Sequence, residues 1–212
     1  MPRFFCTLSA SNSGHEGLLM PTPVASYMIR RKVLKLLGAA FYVTDDSGEQ
    51  IGFCNQKAFR LHEDIRLYTD QTKSEEVLSI RARSVIDFGA TYDVHDDNGI
   101  LLGSARRKGL KSIVRDEWHI FDADGREVAR LKEDSGNLAV LRRVLPAIEF
   151  LAPQKYNLVT PSGDLAARFE TQRNPFLYKL HATAYDTPGL DPQIVMALGF
   201  LLAAIEGRQN QG

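Results

Sequence analysis

The strongest constraint in this chain is an internal repeat. FYVTDDSGEQIGFCNQK from Phe41, YDVHDDNGILLGSARRK from Tyr92 and WHIFDADGREVARLKED from Trp118 align without a gap. YNLVTPSGDLAARFETQ from Tyr156 is a fourth copy, and LYTDQTKSEEVLSIRAR from Leu67 a weaker fifth. The starts at 41, 67, 92 and 118 are spaced by 25 or 26 residues, and the last is delayed by an insert near 135–153. A fixed period of this kind has to be explained before anything else in the fold. Each copy alternates, turns at a polar stretch and alternates again. Gly48, Gly99, Gly125 and Gly163 share one column, preceded by Ser47, Asn98, Asp124 and Ser162. Asn-Gly and Asp-Gly suit hairpin turns because both central residues tolerate positive φ. Each repeat is therefore read as a β-hairpin.

The next columns support this. Ile51, Leu102, Val128 and Ala166 align, followed by Gly52, Gly103, Ala129 and Ala167, with Leu78 in the weak copy. Small residues at one strand position imply close approach by something bulky or tight barrel curvature. The bridging segments Lys57–Leu61, Ser84–Phe88 and Leu110–Val114 also read as strands, giving ten to twelve in all. Many short strands with regular turns indicate a barrel or sandwich.

Two stretches depart from this period. Leu138, Leu141, Leu145 and Ile148 recur at helical spacing within the 135–153 insert, interrupted by Pro146, and predict one or two short helical turns. Near the C-terminus, Asp191 and Pro192 make a good N-cap and first helical residue. The run that follows, Ile194 to Ile205, is apolar on every face and belongs inside protein or lipid. Twelve residues rise about 18 Å, short of a hydrocarbon core of about 30 Å. Burial in protein is expected: a closed antiparallel barrel with this helix threaded through it. Residues 1–26, rich in Ser, Gly, Pro and Thr, read as a loosely ordered lead-in. Residues 27–206 form the single barrel domain, and 207–212 are a tail.

The sequence holds 26 Lys plus Arg against 26 Asp plus Glu, a balance that does not suit a nucleic-acid binder. Two cysteines, Cys6 and Cys54, make no disulfide framework and point to a reducing, cytoplasmic setting. The N-terminal apolar patch, Phe4 to Leu8, is shorter than a secretory core, and no window is long enough to span a membrane.

Catalytic and metal signatures are absent. The turns DDSG, DDNG and DADG superficially resemble calcium loops. An EF-hand needs an oxygen ligand five residues before its Gly and a Glu six after it. Val43, Val94 and Ile120 stand before, and Cys54, Ala105 and Leu131 after. His15, His62, His95, His119 and His181 show no ligand spacing, and there is no GxSxG, Walker-type loop or GxGxxG. No cofactor, no metal and no enzymatic activity are expected.

The segment SYMIRRKVLKLLGAAFYVTDDSGEQIGFCNQKAFRL, Ser26 to Leu61, resembles the opening of LURP-one-related proteins. These share a superfamily with phospholipid scramblases and Tubby C-terminal domains. IRARSVIDFGATYDVHDDNGILLG, Ile80 to Gly103, is similar to the family's second block, whose aromatic-Gly-small-Thr-Tyr core is Phe88-Gly89-Ala90-Thr91-Tyr92 here. The likeness covers residues 26–134 well and 154–206 more loosely. It implies a twelve-stranded barrel around a hydrophobic C-terminal helix. Tubby domains bind phosphoinositides, whereas scramblases are associated with lipid movement and calcium.

Repeat alignment also stacks cations. Arg81, Arg106 and Lys132 share a column, and Lys57, Arg83 and Lys108 share another two positions on. Residues two apart lie on one strand face, so Arg81 with Arg83, and Arg106 with Lys108, project together. Arg107 and Lys111 lie close in sequence, and Arg30-Arg31-Lys32 open the first block. One basic barrel face made of Lys57, Arg81, Arg83, Arg106, Arg107, Lys108 and Lys111 would suit an anionic phospholipid or phosphoinositide headgroup, with the protein peripheral to a membrane. The alternatives are a structural or protein-interaction scaffold, with the cations an ordinary solvated exterior, and a lipid scramblase that releases its helix into a bilayer.

Overall fold

A computed structural model describes residues 23–34, 38–56, 65–83, 90–108, 117–134, 154–174 and 177–209. Twelve strands close into one antiparallel barrel: β1 (Pro23–Leu34), β2 (Gly38–Asp45), β3 (Gln50–Gln56), β4 (Ile65–Tyr68), β5 (Glu76–Ala82), β6 (Thr91–Asp96), β7 (Leu101–Arg107), β8 (Glu117–Asp122), β9 (Glu127–Glu133), β10 (Lys155–Val159), β11 (Leu165–Asn174) and β12 (Leu177–Tyr185). Each strand pairs with its chain neighbour, and β1 pairs with β12 to close the ring. One helix, α1 (Pro192–Gln209), follows. β1 begins at Pro23, so part of the expected lead-in is strand. Proline is tolerated as a first strand residue because its missing N–H is not needed there. The bridging segments and the 135–153 insert lie outside the described residues.

The repeats are the hairpins β2–β3, β4–β5, β6–β7, β8–β9 and β10–β11. Every one carries a register shift in the same place. Val43 to Thr44 faces Gly52 to Gln50, and the counterparts are Leu67/Tyr68, Val94/His95, Ile120/Phe121 and Leu158/Val159. The skipped residues are Ile51, Val77, Leu102, Val128 and Ala166, so the aligned apolar column is a column of β-bulges. A bulge bends and twists its strand, and five in register curl the sheet into a ring.

The turns differ from the two-residue form expected. Gly48 N–H donates to the Asp45 carbonyl at 3.0 Å, and Asp45 N–H to the Glu49 carbonyl at 3.0 Å. Gly48 has φ 84° and Gly99 78°, while Ser47 and Asn98 keep negative φ. This is a type I turn closed by a left-handed glycine, which needs positive φ only once. In β4–β5 the gapless alignment sets Ser74 under the glycines. Lys73 takes the left-handed conformation instead, at φ 58°. The loop is longer there, with Thr69 N–H reaching the Glu75 carbonyl.

Acidic turn residues explain the resemblance to calcium loops. Asp45 Oδ1 accepts hydrogen bonds from the N–H groups of Ser47 and Glu49 and from the Ser47 hydroxyl. Asp96 Oδ1 accepts from Asn98 and Ile100, and Asp122 Oδ1 from Arg126. The carboxylates cap their own turns. Their donors hold the Asp45 and Asp122 carboxyls below the usual range.

Inside the ring, α1 starts where the sequence predicts: Asp191 Oδ1 accepts the Gln193 N–H at 2.7 Å. Ile194 to Ala204 are all buried, Gly199 among them, whose lack of a side chain serves the packing. A Cβ on Gly199 would stand 3.0 Å from Ile29 Cδ1 on β1, and Phe200 meets Phe41 of β2 edge-on at 5.9 Å. On the opposite wall, a Cβ on Gly103 would fall 2.3 Å from the Phe121 carbonyl oxygen and 2.7 Å from Ile194 Cδ1. Both readings of the small column therefore hold at Gly103: the helix and the curved neighbouring strand each crowd it.

Candidate anion-binding surface

The surface is the outward half of each strand's alternation. Ile80, Tyr92, Ala105, Trp118 and Leu131 point inward and are buried, so Arg81, Asp93, Arg106, His119 and Lys132 point out. Lys57 and Lys111 lie outside the described residues. Arg81, Arg83, Arg106 and Lys108 are exposed on the outer side of β5–β8. Arg107 does not join them. It pairs in register with the buried Trp118, so alternation turns it toward the interior side of β7.

The columns do not become rows. Arg81 is level with Asp93 and Ser104, Arg106 with Thr91 and His119, and Lys132 with Glu117 and Asn157. A column member therefore climbs two residues for every two strands crossed. With strands about 4.8 Å apart and about 3.4 Å per residue, successive members sit about 12 Å apart. This stagger is the shear that closes a barrel.

Between them stand acids. Arg83 forks onto Asp93, with Nε 2.8 Å from both carboxylate oxygens, and the pairing raises the Arg83 pKa. Lys108 Nζ lies 3.2 Å from Glu117 and holds that carboxyl below its usual range. Glu127 binds Arg130 and sits 3.1 Å from His119 Nδ1, and its carboxyl is lowered first by Arg130. Arg106 reaches the Thr91 hydroxyl at 3.2 Å and lies 5.5 Å over the Phe121 ring. Over β5–β9 the wall is a mosaic of both signs, not one positive face.

Barrel closure builds a different arrangement. Lys179 on β12 stands directly opposite Arg30 on β1, and Lys32 lies two residues along the same face. Like charges directly opposed across strands are unfavourable. Among the described residues, none of these three cations has a carboxylate partner. Glu170, the acid nearest in register, is held by Lys155 at 3.1 Å. Arg30 and Lys32 are exposed, and Lys179 is half-buried. Arg31, between the two exposed cations, turns inward and is buried.

An aromatic ladder continues the row. The Arg30 guanidinium lies 5.5 Å over the Tyr42 ring, Tyr42 meets Phe53 at 5.4 Å, and Phe53 is opposite Tyr68. Lys73 closes it, 6.0 Å over Tyr68. The sequence marks Arg30 and Lys32 but gives Lys179 no role. Only the β1–β12 register joins them.

Ser26 Oγ lies 2.8 Å from Asp46 and 3.1 Å from His181 Nε2. The carboxylate bonds the hydroxyl instead of the imidazole, which is not the order of a hydrolytic triad. Cys54 faces the interior, and burial pushes its thiol up to about 12. Among the described residues no group of three or more His, Cys, Asp or Glu could hold a metal ion, and no helix is long and apolar enough to cross a membrane. The sequence matches no protein-family model and no curated protein.

Proposed function

We propose that this chain is a non-enzymatic binding module of the Tubby-like, LURP-one-related kind that meets its partner on the outside of the barrel. The observation that carries this reading is the filled interior. Ile194 to Ala204 of α1 pack against Ile29, Phe41, Gly103, Phe169 and Leu180 from several walls. Ligands of small barrels are held in an interior cavity or on the outer surface, and here α1 occupies the interior. The mixed charge of β5–β9 favours a protein-interaction or scaffold role over a headgroup sink at that face.

A second reading, peripheral binding to anionic phospholipid or phosphoinositide headgroups, is supported by Arg106, which is exposed and engages a hydroxyl and a ring instead of a carboxylate. Vesicle co-sedimentation with and without phosphoinositide separates the two. The scaffold reading expects little sedimentation and no change when Arg81, Arg83, Arg106 and Lys108 become Ala. Strong sedimentation abolished by those substitutions would replace it with the headgroup reading. Scrambling requires α1 to leave the barrel, which strips the core of its central element, and labelled-lipid flip in vesicles is its test.

A further inference from the structure

The geometry points to the outer face running from β12 through β1 to β4 as the docking surface for a short acidic segment of a partner protein. This rests on the outer-wall reading above and names both the place and the chemistry.

Three observations converge on it. The first is charge. Lys179, Arg30 and Lys32 gather without a carboxylate partner among the described residues, whereas Arg66, Arg83, Lys108, Arg126, Arg130 and Lys155 elsewhere on the wall each hold one. Setting Lys179 opposite Arg30 costs stability, and an incoming carboxylate removes that cost. The second is pre-organisation. Arg30 is held over the Tyr42 ring, so less side-chain entropy is lost when its planar fork donates to a carboxylate. The third is composition. The row Lys179, Arg30, Tyr42 and Tyr68, with the buried Phe53 beneath the two tyrosines' span, joins cations to aromatics, and Arg and Tyr dominate the energetic centres of protein–protein interfaces.

A bilayer fits this face less well. Three cations hold an anionic membrane weakly, and firm docking needs a second signal such as inserted apolar side chains. The large apolar side chains exposed among the described residues are Val24 and Ile100. Val24 sits at the start of β1, six residues before Arg30, and Ile100 in the β6–β7 turn. The row crosses five strands from β12 to β4. At about 4.8 Å per strand and about 3.3 Å per extended residue, about six residues span it. Acidic side chains at one end would meet Lys179, Arg30 and Lys32, and the remainder would lie along the tyrosines.

The test is fluorescence anisotropy with a fluorescein-labelled hexaglutamate peptide, run at low and at physiological salt. Parallel sedimentation uses phosphatidylcholine vesicles containing phosphatidylserine. Wild type is expected to bind the peptide with affinity that falls as salt rises. The pair Arg30→Gln and Lys179→Gln is expected to weaken binding about tenfold or more. Lys179→Arg should retain binding, and Arg83→Ala with Lys108→Ala should change it less than about twofold. Far-UV circular dichroism confirms that each variant folds. Equal losses from both pairs, or no loss at Arg30 and Lys179, overturn the seam. Vesicle binding that depends on Arg30 and Lys179 without any peptide binding also overturns the proposal, in favour of a membrane. A variant carrying both pairs of substitutions distinguishes the failures: full peptide affinity in it means the ligand is met off the wall, which removes the outer-wall reading too.

Discussion

The inner and outer faces of the same strands obey different rules. On β8, Trp118 and Ile120 face in and are buried, while His119 and Phe121 face out. Inside, a residue is judged by its volume in the packed interior, so the same column position holds a small residue in the last three hairpins, Gly103, Ala129 and Ala167, while β5 places the larger Leu78 there. Outside, a residue is judged by the charge on the next strand. Aligned cations there are separated by the stagger of the barrel, and neighbouring strands answer them differently: Arg83 and Lys108 meet carboxylates, Arg106 a hydroxyl and a ring. Repetition therefore transmits packing through the chain but does not transmit surface charge.

The largest effect that sharpens this contrast is expected at Phe200→Ala. The ring is buried against Phe41 at the heart of the barrel, and its removal should cost about 3–5 kcal/mol in urea-induced unfolding. Gly103→Ala adds one methyl where a backbone oxygen and Ile194 already crowd it, with an expected cost of about 1–3 kcal/mol. If either substitution proves neutral, the close fit between column and helix is wrong.

Acid comes next. The carboxyls of Asp45, Asp70, Asp122, Glu117 and Glu127 are held low in the folded protein by hydrogen bonds and neighbouring cations. Their contribution is fully present above the ordinary carboxyl range and is lost as pH falls through the depressed folded values. Thermal midpoints should hold from neutral pH down to about pH 5 and then decline. Asp122→Asn should make that decline shallower, and a midpoint independent of pH down to the acid limit would contradict this account.

The smallest effects belong to the outer face. Arg83→Ala should cost at most about 1 kcal/mol, because exposed ion pairs are worth little. Lys179→Glu should stabilise slightly, by about 0.2–1 kcal/mol, since it sets an acid opposite Arg30. It should also abolish hexaglutamate binding. A variant that gains stability while losing its ligand would mark the seam as a place where the native sequence gives up stability for binding. A loss of stability at Lys179→Glu would mean that the seam cations are held by something other than an absent acid.

Much of the architecture was legible because its causes are local. The glycine column announces the hairpins, the bulge column sits one step beyond it, and Asp191-Pro192 followed by an apolar run announces α1. The misreadings have equally physical sources. Lys73 adopts the left-handed turn conformation without being glycine, in a longer loop, so nothing in the spacing marks it. Pro23 reads as linker although it opens β1. Arg107 belongs to a basic cluster in sequence and to the opposite face in space. The seam pairs Lys179 with Arg30, near opposite ends of the chain, and only the stagger accumulated over the whole barrel sets that register.

Ring closure by β1 and β12 also has a consequence for biosynthesis. β1 pairs on one side with β2 and on the other with the last strand, so that second side waits until nearly the entire wall has been translated. At about 5–20 residues per second, the roughly 150 residues from the end of β1 to the end of β12 take about eight to thirty seconds, during which one flank of the first strand is a bare edge open to other chains. Only when β12 docks is that flank covered by the chain's own backbone.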